Sequence, residues 1–259
     1  MKKRAVILSV IIFLLIGGFL FFFFFDKEKE EKPMPIKLNF ENRTSQLEEF
    51  YEENTIKIGW LQVQGTNVDL PVLIAGIDSE IDHDTEYAWR SWNYNSDGNR
   101  EVITSHNYLN LSSKPSTNMS ELNFFEGLMG YAYPDFALEN QYIYYLKDGV
   151  EELYVIYAVG FYDNYYDSGE SYMTKEEVDA YIEKVRDNSL YDYDIEVTSE
   201  DELLTLKTCT RYFGSEKLQQ FVVDARKVRV DEETVRYPIE TTNKYKELIE
   251  EEKIDNSEY

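Results

Sequence analysis

Apolar and polar positions divide the chain into unlike parts. Residues 5–25, AVILSVIIFLLIGGFLFFFFF, carry no charge over 21 positions. At 1.5 Å per residue such a helix reaches about 30 Å, the thickness of a bilayer's hydrocarbon core. Lys2, Lys3 and Arg4 precede it, and charges of mixed sign from Asp26 to Lys32 follow. The basic flank predicts a single-pass membrane anchor, with residues 1–4 cytoplasmic and the rest of the chain outside the cell. A cleaved signal peptide is the competing reading. Its apolar core is usually shorter and ends at small residues, whereas this run ends in five Phe. Residues 26–43 read as a tether.

Beyond the tether the periods alternate between strand and helix. Leu47, Phe50 and Tyr51 mark a helix from Thr44 to about Asn54, with Thr44 or Ser45 as its cap. Ile56–Val63 alternates and reads as a strand, Gly65–Asn67 as a turn, and Val68–Ile74 as a second strand. Pro71 argues that this strand lies at an edge or near its end. Residues 75–100 are loop-rich. Glu101–Thr104 predicts a short strand that stops at Ser105-His106-Asn107. A polar loop over 111–120 leads into a short helix near 121–129. Gln141–Leu146 and Glu151–Tyr162 flank Lys147-Asp148-Gly149-Val150 and predict a hairpin. Thr174 caps a helix to Asn188 whose apolar face is Val178, Tyr181, Ile182 and Val185. Glu202–Thr208 and Phe221–Val230 read as the last strands. Residues 240–259 read as a charged helix fraying into a tail. The whole predicts a mainly-β domain with inserted helices, its sheet closed or nearly so, over residues 44–230. A charged C-terminal segment follows over 231–259.

Composition narrows the function. A net charge of -24 lacks the basic face that phosphate contacts need, so nucleic acid is excluded as a partner. The charge reads as solubility in a salty exterior, with steering of a basic substrate as the second reading. A single Cys forbids an intrachain disulfide. With His83 and His106 the only histidines, a Cys/His zinc site is not expected. His83, among Asp82, Asp84 and Glu86, reads as a solvated loop residue. The acidic clusters lack the spacing of a calcium loop. The stretch Tyr162–Asp167 reads as packing, with a peptide groove as the alternative.

Cys209 follows directly on the strand Leu203–Thr208, and His106 also stands where a strand stops. A cysteine thiol has a reference pKa near 8.5 and needs a base or a cation to become a nucleophile. Two strand ends meeting across one sheet would supply that pairing. The other reading is a buried structural Cys and an unrelated loop His.

Thr205-Leu206-Lys207-Thr208-Cys209 resembles the TLxTC signature of sortases, the transpeptidases that attach proteins to Gram-positive cell walls or join pilins. His106-Asn107 resembles the catalytic histidine segment of that family. Ile58–Val63 followed by Thr66–Val72 resembles its first strand pair. The N-terminal helix and the helix at 174–188 resemble class B sortases. The likeness spans residues 44–230. It implies an eight-stranded β-barrel and a reaction needing no metal or organic cofactor. Partners would be a substrate protein with a C-terminal sorting signal and an amine from peptidoglycan or a pilin. Cys209 would be the nucleophile and His106 the acid/base, with Thr208, Asn107 and Gln220 contacting substrate.

One departure stands out. The family carries an Arg at the start of the strand after the Cys, where it stabilises the developing oxyanion. Here Gln220, or Gln219, occupies that place. Arg211, two residues after Cys209, is the leading replacement, with an ordinary solvated loop Arg as its other reading; Arg226 is the second candidate, and Gln220 could still donate a weaker, neutral hydrogen bond. An impaired enzyme acting as a binding or assembly protein, and a peptidase releasing its acyl group to water, remain as alternatives.

Overall fold

The structure, a computed structural model, describes residues 43–48, 58–74, 88–90, 98–107, 124–163, 172–213 and 219–250. The chain divides into two compact units, Met1–Pro33 and Met34–Tyr259. The first, with the expected membrane segment, lies outside the described residues, as do His83 and Tyr165–Asp167. Among the described residues no helix is long and apolar enough to cross a membrane.

Eight strands close into a barrel. They are β1 (Ile58–Val63), β2 (Asp69–Ile74), β3 (Ala88–Arg90), β4 (Arg100–Thr104), β5 (Tyr142–Lys147), β6 (Val150–Asp163), β8 (Leu203–Thr210) and β9 (Gln219–Lys227). Their order around the barrel is β1-β2-β3-β4-β8-β9-β6-β5, and β1 pairs with β5 to close it. Closure leaves no free edge. A separate two-stranded sheet joins β7 (Tyr191–Tyr193) to β10 (Ile239–Thr241). Helix α1 covers residues 43–48; it is already helical at Arg43, so neither Thr44 nor Ser45 caps it. A 3-10 helix, Phe124–Ala132, runs into α2 (Pro134–Glu139).

Local sequence explains several joints. In the β5–β6 hairpin Lys147 pairs with Val150 across two residues, Asp148 and Gly149, both at positive φ. Such turns match the twist of the strands they join, and Asp-Gly suits them. Helix α3 (Lys175–Asp187) starts in a full capping box between Thr174 and Glu177 and buries the four apolar residues expected of it. Its carboxyl end is docked by Asn188, whose Nδ2 donates to Phe161 O at 2.9 Å. Gly160 makes that approach possible, since a Cβ there would lie 2.7 Å from Asn188 O. The helix therefore lies on the outer face of the barrel. Beneath it Tyr181 Oη donates to Asp224 Oδ1 at 2.5 Å, and Thr205 Oγ1 donates to the same oxygen at 2.7 Å. The Arg100 guanidinium stacks 4.1 Å from the Tyr181 ring.

The charged C-terminal segment is bound to the domain as far as Leu248. Glu232 receives Arg226 Nη1 at 2.7 Å and Nη2 at 2.5 Å. Tyr142 Oη donates to Val235 O, and the Gln141 side chain bonds both backbone groups of Tyr237. β10 adds its pairing, and Tyr245 and Leu248 of α4 (Asn243–Glu250) are buried. The Arg226 hydrogen bond holds the Glu232 carboxyl at about 2, below its ordinary 4.5. A depressed carboxylate stabilises the fold above its unfolded pKa and loses that contribution as pH falls through the folded value. Glu232→Gln is therefore expected to cost about 1–2 kcal/mol at pH 7, less than the full shift implies because the carboxylate is partly open to solvent. The difference from wild type should shrink between about pH 4.5 and 2. Denaturant unfolding of the full chain at both ends of that window measures it; an equal deficit at pH 7 and pH 2 would rule the carboxylate out as its source.

Candidate active site

β4 and β8 run parallel, with Thr104 opposite Lys207. β4 stops at Thr104, so His106 lies two residues past its end, alongside the last residues of β8. Three hydrogen bonds fix the end of β4. Ser105 N donates to Lys207 O at 3.4 Å, Thr208 Oγ1 donates to Ser105 O at 2.8 Å, and Phe125 N donates to His106 O at 3.2 Å. His106 and Cys209 are both half-buried. β8 extends one residue past Cys209 to Thr210, further than the sequence pattern indicates, so the thiol is held inside the ladder.

On its other side β8 pairs antiparallel with β9, and Gln220 stands directly across from Cys209. Residues so paired share a face, with Cβ atoms about 4.5–5.5 Å apart. Gln220 is thus beside the thiol, as the alignment with the family's Arg position implies. Its Oε1 is buried with no hydrogen-bond partner among the described residues. Gln219 pairs with Thr210 on the opposite face, and its Nε2 donates to Asp163 Oδ1 at 3.3 Å. Arg226 is excluded from the site. It pairs with Leu203, six residues along β9 or about 20 Å from Gln220, and its guanidinium is spent on Glu232 and on the carbonyls of Glu196 and Lys227.

Burial alternates along the end of β8. Lys207, Cys209 and Arg211 are half-buried, while Thr208 and Thr210 are fully buried. The strand period of two places the first three on one face. Burial pushes the Cys209 thiol up, and the charges of Lys207 and Arg211 pull it back. Arg211 follows the Cys by two residues at this spacing, whereas Lys207 is not among the residues that the sequence pattern selects. Its place two residues before the Cys, at strand spacing, was the available signal. Thr208 and Asn107, expected to contact substrate, are each 1% exposed. Thr208 Oγ1 donates to Ser105 O and ties the two strand ends together. Asp224 is four residues back from Gln220 and engaged by Tyr181 and Thr205. Among the described residues no three His, Cys, Asp or Glu gather as a metal set.

This barrel matches solved sortase B structures. With a mutant form of Clostridium perfringens sortase B the TM-score is 0.60 at 20% identity, over 72% of this chain and 88% of that one. With sortase B from the type II pilus of Streptococcus pneumoniae it is 0.55 at 20% identity, over 69% and 96%. With the Staphylococcus aureus sortase B–substrate complex it is 0.57 at 18% identity, over 72% and 86%. The fold is that of sortase B. No protein-family model matches the chain, and no curated protein matches it. At 18–20% identity a sortase B likeness establishes architecture, so the chemistry rests on the residues at the ends of β4, β8 and β9.

Proposed function

We propose that this chain is a sortase-type cysteine transpeptidase, anchored in the cell membrane by residues 5–25 with its catalytic domain outside a Gram-positive cell. The observation that supports the reading is the parallel pairing that sets the end of β4, with His106 two residues beyond it, beside the end of β8, with Cys209, in a sortase B fold. The Cys209 thiolate attacks the carbonyl carbon of a Thr within the sorting signal of a substrate protein. The C–N bond breaks, the leaving amine takes a proton from the His106 imidazolium, and a thioester remains. A primary amine from peptidoglycan or a pilin then attacks the thioester carbonyl and gives its proton to neutral His106. The C–S bond breaks, an amide forms and the thiolate returns. Neither step calls on a metal or an organic cofactor.

The test uses a pool of peptides with a fixed Thr in a five-residue signal, with triglycine as the added amine. Peptide joined to triglycine supports transfer; acid product alone, with or without the amine, supports a peptidase; no acyl-enzyme at all supports a binding or assembly protein. The last alternative draws on one observation, the neutral Gln220 across from Cys209.

Arg211 supplies the charge for the developing oxyanion, and Gln220 a neutral donor beside it. Arg211→Ala is expected to lower kcat/KM about a hundredfold and Gln220→Ala about tenfold. Unchanged turnover in Arg211→Ala removes that residue from the mechanism.

A further inference from the structure

We propose that Lys207 is a positioning residue whose ammonium offsets part of the cost of ionising Cys209, a task that falls to it because the position facing the thiol holds a neutral glutamine. The proposal deepens the transpeptidase reading and rests on Cys209 being its nucleophile.

Three features of the geometry point to Lys207. It precedes Cys209 by two residues in a continuous strand, so both side chains leave the same face. Its backbone is held from both sides, by Thr104 of β4 and Val222 of β9, and its carbonyl accepts Ser105 N. A charge mounted on a doubly paired strand is better placed than one beyond its end, and Arg211 lies just past Thr210. Lys207 is also half-buried and paired across the ladder with the buried Val222. A partly desolvated cation acts more strongly than an exposed one. In a chain of net charge -24 the surrounding field opposes a second anion here, so a local cation has something to offset.

Among the described residues packed around the end of β8, Thr104 on β4 stands opposite Lys207, with His106 just past the strand's end, and Gln220 on β9 pairs with Cys209. Farther back on the same face lie Asp224, Tyr181 of α3 and Arg100, bound to one another and to Thr205. The 3-10 helix behind β8 carries Glu126 and Tyr131, both buried. Among the described residues Lys207 and Arg211 are the cations that lower the cost of ionising the sulfur, against the effect of burial.

Alkylation of Cys209 by iodoacetamide, followed from pH 5 to 10 on the full-length chain, tests this without any sorting peptide. Lys207→Gln should move the midpoint upward by about half a unit to one unit. The alkylation rate at neutral pH should then fall about three- to tenfold. Lys207→Arg should restore the wild-type profile, and Arg211→Gln should shift it less than Lys207→Gln does. Thermal unfolding of each variant registers any loss of fold separately. A Lys207→Gln midpoint equal to wild type, or a Lys207→Arg midpoint equal to that of Lys207→Gln, overturns the assignment while leaving the transpeptidase reading intact. A wild-type thiol inert across the whole range overturns both.

Discussion

Cys209→Ala is expected to abolish transfer of a sorting peptide to triglycine, with a loss of about 10⁴-fold or more, and to leave the barrel folded. The size follows from the chemistry: without Sγ no thioester forms, and the remaining groups only bind and polarise. The small structural cost follows from the site. Cys209 is half-buried at the end of β8, and its backbone pairing with Gln220 persists in the variant. Removing one sulfur from such a position costs about 1 kcal/mol or less. Intact-mass measurement after mixing with peptide should show the acyl adduct on the wild type and none on Cys209→Ala. A variant that still makes the amide at the wild-type rate ends the case for this nucleophile.

The elements legible in the sequence are those with strong local signals. The capping box at Thr174 and Glu177 and the stripe Val178–Val185 fix α3 before any tertiary contact is known. Asp148-Gly149 between two alternating runs fixes the β5–β6 hairpin. The strands around Cys209 and His106 are readable for the same reason, and so is Gln220 at the start of β9. Other elements carry no such signal. β3 is three residues long and sits parallel beside β2, too short to show a period. β7 and β10 are equally short and far apart in sequence. The clasp of Arg226 on Glu232 depends on where the chain turns after β9, which charge spacing alone does not encode. Thr208 reads as a substrate contact because its hydroxyl neighbours a nucleophile; that it also donates to Ser105 O follows only from the parallel register with β4. Lys207 carries no signal of its own, because alternation tells which residues share a face but not which face carries the chemistry.

His106→Ala is expected to lower turnover by about 10²- to 10⁴-fold, the span over which a positioned acid/base contributes. The loss should be chemical rather than structural, because the anchors of this segment are main-chain. Ser105 N reaches Lys207 O, the His106 carbonyl accepts Phe125 N, and Thr208 holds Ser105 O; none of these uses the imidazole. Both half-reactions need it, first to protonate the departing amine and then to take the proton of the incoming one. Single-turnover acylation and the triglycine-dependent step should therefore slow together. Imidazole added to the buffer should recover part of the rate, since the space left by the side chain lies beside a half-buried thiol. If His106→Ala turns over at the wild-type rate, proton transfer lies elsewhere and the parallel register of β4 with β8 is architecture alone.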